Sequence, residues 1–160
     1  MDEAKRAVAA LRRAGKTVAT AESCTGGLIG KLLTDVSGSS AVYPGGVISY
    51  AYAVKRNLLG VDEQLLRDQG AVCMDVARQM AEGVRVRLDA DYGLASTGIA
   101  GPGTDEFGRP VGLVYLAVAD SSTTQVFEHR FSGSRSSVRN QAAREAIVHL
   151  LDCLQQSDTV

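Results

Sequence analysis

Thr17 to Gly27 reads TVATAESCTGG, and the division of this stretch decides the fold. TVATA, Thr17 to Ala21, is β-branched and small and reads as a short buried strand. Two glycines and the apolar run LIGKLL follow, so a helix begins within a few residues. Glu22, Ser23, Cys24 and Thr25 stand at the join. A strand that turns directly into a helix exposes side chains there and aims backbone N–H groups at whatever they meet, an oxyanion or a phosphate. Gly26 and Gly27 permit close backbone approach and positive φ. Two readings stay open on the local sequence: Ser23 or Thr25 is the helix N-cap, or Ser23 is a nucleophile. Cys24 is a rival nucleophile, but no histidine lies near it in sequence.

Working outward, Ala4, Ala7, Val8 and Leu11 mark one face of a first helix, capped by Asp2 and ended by Gly15. The second helix, GGLIGKLLTDV, should close at Gly38. A strand is expected near Gly46 to Tyr50, a helical stretch to Gly60, and a short helix from an Asp62 cap to Gln69. MDVARQMAEGVRVRL is a longer helix, DYGLAST a buried strand and GIAGPGTDEFGRP a long loop. VGLVYLAVA is an apolar strand, with TTQVFEHRF as its antiparallel neighbour. Val138, Ala142, Ile147, Leu150 and Leu154 mark a last helix from about Ser134, and QQSDTV reads as a frayed tail. Strands alternating with helices, then two strands together, predict one α/β layered domain with a mixed sheet.

Composition narrows the function classes. The 160 residues suffice for one domain with a sizeable core, and the net charge of −1 offers no basic nucleic-acid surface. Tryptophan is absent and aromatics are few, so no stacking platform is evident. Cys24, Cys73 and Cys153 form no CxxC pair and read as small apolar residues of a reducing compartment. His129 and His149 show no metal-ligand spacing. No signal-peptide core and no run of membrane-span length is present, so the expectation is a cytoplasmic chain with no membrane partner and no metal.

Three further segments can carry chemistry. SYAYAVK, Ser49 to Lys55, brings Tyr50 to a strand end and places one lysine on the next helix. Lys55 is either a solvated helix charge or, with burial lowering its pKa, the base that a serine nucleophile needs. STGIAGPG, Ser96 to Gly103, ends a strand at Thr97 and opens a glycine-rich loop long enough to bind a ligand. Arg135 and Arg139 lie four apart near the start of the last helix, where the macrodipole disfavours cations unless an anion sits between them. The alternative is two solvated arginines.

Taken jointly, AESCTGG, TDVSGSSAVYPGGVISY, AVKRNLLGV, GAVCMDVARQMAEGVR, STGIAGPG, RPVGLVYLAV and FSGSRSSVRNQAAREAI resemble, in order and spacing, the CinA C-terminal domain family. The resemblance runs from about residue 5 to 154, within a single domain of residues 1–160, and points to the stand-alone form, the bacterial nicotinamide-nucleotide amidases. It implies a three-layer α/β/α sandwich. It also implies hydrolysis of the carboxamide of nicotinamide mononucleotide in pyridine nucleotide recycling, without cofactor or metal, by a homodimer or higher oligomer. On that resemblance Ser23 is the nucleophile, Lys55 and Tyr50 its proton-handling partners, and Thr97 a hydroxyl holding Lys55 or the amide. Arg139 with Arg135 would take the phosphate, and Thr25, Gly26, Gly27, Gly98 and Gly101 would line the substrate site. Ala51 and Tyr52, Cys73 to Asp75, and TDEFGRP depart from the family's usual residues, at positions that concern affinity and the loop. The alternatives from other classes are a nucleotide-binding module with weak catalysis and an amidase for another small phosphorylated amide.

Overall fold

The computed structural model describes residues 2–157 and 159. The chain forms α1 (Asp2–Ala14), β1 (Val18–Glu22), α2 (Leu28–Thr34), a 3-10 turn (Ser39–Ala41), β2 (Gly45–Ile48), α3 (Tyr52–Leu59) and α4 (Glu63–Gln69). It continues through α5 (Met74–Arg87), β3 (Tyr92–Gly98), β4 (Leu113–Ala119), β5 (Thr124–Arg130) and α6 (Arg135–Ser157). The strands make one open sheet in the order β2-β1-β3-β4-β5. β1 is parallel to β2 and β3, while β4 and β5 run antiparallel. The sheet is therefore mixed, as the strand order in the sequence predicts.

The two faces of the sheet differ in side-chain size. Val18, Leu94, Leu116 and Val118 pack toward α1, α2 and α6. Ala19, Ala21, Ala95, Ala117 and Ala119, one residue out of phase, pack toward α5. The small residues let α5 approach closely: a Cβ on Gly93 would lie 1.9 Å from the Ala81 carbonyl oxygen. α3 packs against the outer side of α5, where a Cβ on Gly83 would meet the Leu59 carbonyl oxygen at 1.9 Å. Helices on both faces give the three-layer α/β/α arrangement. No helix among the described residues is long and apolar enough to cross a membrane.

Several boundaries differ from expectation. α2 ends at Thr34 with Asp35 as its C-cap, and Gly38, at φ 85°, opens the 3-10 turn instead of closing the helix. β2 ends at Ile48, although the Ser49 N–H still donates to the Glu22 carbonyl at 2.8 Å. Asp2 lies inside the first turn of α1, where its carboxylate still suits the helix dipole. Gln155, Gln156 and Ser157 of the expected frayed tail remain helical behind buried Cys153 and Leu154, and Asp158 and Val160 lie outside the described residues.

β1 sits between its two parallel partners. The chain leaves it toward β2 on one side and later returns to β3 on the other. The connections after β1 and β3 therefore diverge, and a crevice opens at the carboxyl ends of these strands. Glu22 pairs with Ser96 there, and the Ser23 N–H donates to the Ser96 carbonyl at 3.0 Å.

Candidate active site

The turn after β1 is held by Glu22. This side chain is 2% exposed, and its oxygens accept from the N–H groups of Gly27 (3.2 Å), Ile29 (2.8 Å) and Gly30 (3.0 Å) and from the Thr25 hydroxyl (2.7 Å). These amides belong to the first turn of α2, which otherwise lacks partners for them. Neither Ser23 nor Thr25 is the N-cap: Gly27 occupies that position at φ 106° with no side-chain cap. The cap comes instead from the end of the strand. Thr25 is fully buried and also bonds the Ser96 hydroxyl at 2.7 Å, so it supports the turn and does not line the cleft. Gly26, at φ 59°, and Gly27, at φ 106°, likewise shape the turn and do not line the cleft.

Freed from capping, the Ser23 hydroxyl turns toward α3. Lys55 projects from that helix with its side chain fully buried, and its Nζ lies 2.8 Å from Ser23 Oγ. Nζ also reaches the carbonyl oxygens of Ser49 (2.5 Å) and Tyr50 (3.3 Å), where the chain leaves β2 and enters α3. Burial lowers the Lys55 pKa from 10.5 to about 8. The same burial pushes the Cys24 thiol up to about 12, which keeps it protonated and removes it as a rival nucleophile.

Ser23 and Lys55 open into a cleft of about 250 Å³ between the turn after β1, the start of α3 and the 98–106 loop. Thr97, Gly98 and Gly101 line it. The Thr97 hydroxyl donates to the Ala71 carbonyl at 2.7 Å and so positions the 71–72 wall instead of holding Lys55. A Cβ on Gly98 would press on Val114 and the Leu113 carbonyl at 2.6 and 2.8 Å. Tyr50 is exposed at the mouth, where its hydroxyl accepts from Arg135 at 3.1 Å. Lys55 touches the Tyr50 carbonyl, not its phenol. Arg135 also donates to the Gly101 carbonyl at 2.6 Å and stands in the cleft. Arg139, by contrast, turns behind the turn and donates to the carbonyls of Cys24 (2.9 Å) and Thr25 (3.2 Å). The expected arginine pair is thus divided: one guanidinium braces the serine turn and the other faces the cleft.

The sequence reading missed Glu22, whose role shows as a lone acid just before an uncapped glycine pair. It also missed Tyr52, which donates to Glu106 at 2.7 Å across the cleft rim, and Asp105, which anchors Arg109 at 3.0 Å within the loop. The two histidines, unremarkable in linear spacing, meet in space: His129 Nε2 lies 2.7 Å from His149 Nε2.

The model of the CinA C-terminal domain matches residues 2–154. A CinA-like protein of Geobacter sulfurreducens is 51% identical over 136 residues, covering 85% of this chain and 33% of that protein. The chain spans about a third of the length of the curated relatives it matches. Two crystal structures share its fold along nearly their whole lengths. The CinA superfamily protein of Klebsiella pneumoniae 700603 has a TM-score of 0.94 and 32% identity, covering 97% of both chains. A competence/damage inducible protein of Agrobacterium tumefaciens has a TM-score of 0.91 and 40% identity, covering 96% of this chain and 94% of the other. With the family model matching almost end to end and solved relatives of the same fold, the chain belongs to the CinA C-terminal domain family.

Proposed function

We propose that this chain hydrolyses the carboxamide of nicotinamide mononucleotide to nicotinate mononucleotide and ammonia, with Ser23 as nucleophile and Lys55 as base. The observation that carries this reading is the three-point environment of Lys55 Nζ. A neutral amine has two N–H donors and one lone pair. The carbonyls of Ser49 and Tyr50 accept the two hydrogens, which leaves the lone pair facing Ser23 Oγ. A pKa of about 8 keeps part of the Lys55 population in this form at neutral pH.

The Ser23 hydroxyl passes its proton to Nζ as Oγ attacks the carboxamide carbon. The amides of Gly26 and Gly27 already bond Ser23 O and Glu22, and of the remaining turn residues Cys24 lines the cleft while Thr25 does not, so the Cys24 amide is the donor for the oxyanion. Such a donor is worth about 3 kcal/mol in transition-state stabilisation. Lys55, now an ammonium, returns the proton to the leaving nitrogen; the C–N bond breaks, ammonia departs, and a Ser23 ester remains. Water gives a proton to Lys55, attacks the ester carbon, and releases the carboxylic acid while Ser23 recovers its hydrogen. The Glu106 carboxylate at the cleft rim favours a cationic pyridinium, and Arg135 at the mouth suits a phosphate.

The test is ammonia release from nicotinamide mononucleotide, its riboside and free nicotinamide. Wild type should turn over the mononucleotide best. Ser23→Ala and Lys55→Met should each lose about 10³-fold or more in kcat while still binding nucleotide. Deamidation at the normal rate by Ser23→Ala refutes the nucleophile. Tight binding by wild type with no ammonia would make the domain a nucleotide-binding module.

A further inference from the structure

We infer that His129, His149 and Glu145 form a binding site for one late first-row divalent cation, with Zn²⁺ as the fitting ion, at the seam between β5 and α6. The inference is independent of the amide chemistry. Glu145 and His149 are four apart on α6 and share a face. His129 comes from β5 on the side that carries Phe127 and Phe131. One ligand atom from each of the three lies within 4.8 Å of the others, and the two Nε2 atoms are 2.7 Å apart.

The rings are already oriented. His149 stacks on Phe127 with centroids 3.6 Å apart and planes within 5°. His129 stacks on Phe131 at 5.0 Å and 4°. Packing therefore limits the loss of ring freedom on binding, the usual cost of gathering ligands from separate elements. All three residues are half-buried, so an ion can enter from solvent and keep water in an open position. Two imidazoles and a carboxylate are a donor set for zinc, cobalt, nickel or copper, not for magnesium or calcium.

In the ion-free pair one Nε2–H donates to the other Nε2. Binding needs both Nε2 lone pairs, so the donor ring moves its hydrogen to Nδ1 and the imidazoles release no net proton. The ion would clamp the edge strand β5 to the helix that covers the sheet.

The experiment titrates the metal-stripped full chain with ZnCl₂ by calorimetry and records the Co²⁺ absorption spectrum. We expect one ion per chain, a rise in Tm with Zn²⁺, and a Co²⁺ spectrum without a thiolate charge-transfer band. His129→Gln and His149→Phe should each abolish tight binding, and Glu145→Gln should weaken it. The phenyl ring of His149→Phe preserves the stack on Phe127, so loss of binding is not loss of packing. Wild-type binding no tighter than that of the His129→Gln/His149→Phe double variant overturns the site. So does binding that survives in the double variant and vanishes with Cys73→Ser, or a thiolate band with Co²⁺, either of which puts the ion on a cysteine.

Discussion

Burial acts on Lys55 and Cys24 through one principle with opposite results. A dry environment disfavours charge, so the ammonium gives up its proton more readily and the thiol less readily. Activity that depends on neutral Lys55 should rise with pH along a single ionisation and level off above about 8, as a kcat/KM profile would show. A profile flat from pH 6 to 9 would mean that another group takes the serine proton. Glu22 matters in a different way. Glu22→Gln keeps one acceptor oxygen and puts an NH2 group in place of the other, so at the least the Gly30 N–H then faces a donor. It should cost about 2–3 kcal/mol in urea unfolding. The Ser23 and Lys55 candidates were legible only through the family resemblance, because on the local sequence a serine at a strand-to-helix turn reads equally as a cap and a lone helix lysine as a solvated charge. Glu22 was not, because capping rules look for the residue beside the helix, and this cap acts on amides five to eight residues downstream.

At the scale of elements, the alanine-lined face of the sheet is the feature with least tolerance. Gly93→Ala forces β3 and α5 apart against a backbone carbonyl, so thermal unfolding should show a loss of about 3 kcal/mol or more. The loop between β3 and β4 is more forgiving. Tyr52 ties it to α3 through Glu106 at an exposed position. Tyr52→Phe should therefore raise KM about two- to fivefold and leave kcat and folding near normal, in line with one exposed hydrogen bond. Most elements were readable from their periodicity and turn residues. The end of α2 was not, because Gly38 resembles a helix stop while serving the next turn. The histidine pair was unreadable for a deeper reason: twenty residues separate the two rings, and only the packing of α6 on β5 joins them.

For the whole molecule, Lys55 links stability to pH. Its pKa is lower in the folded chain than in the unfolded one, so folding expels a proton and the ammonium form destabilises the fold. The penalty, about 3 kcal/mol for a fall from 10.5 to about 8, is full below pH 8 and fades as pH rises toward 10.5. Wild type should therefore gain about 2–3 kcal/mol on Lys55→Met between pH 7 and 10, measured by denaturant unfolding at each pH. The placement of Arg135 and Arg139 has a consequence in time. Ser23, Lys55 and Thr97 are all in place within the first 97 residues, but the serine turn is braced by Arg139 and the glycine loop by Arg135. A chain emerging from the ribosome thus carries the proposed nucleophile and base long before the segment that braces them. A nascent chain held at residue 134 should be inert, and competence should arrive abruptly once α6 is made and docks.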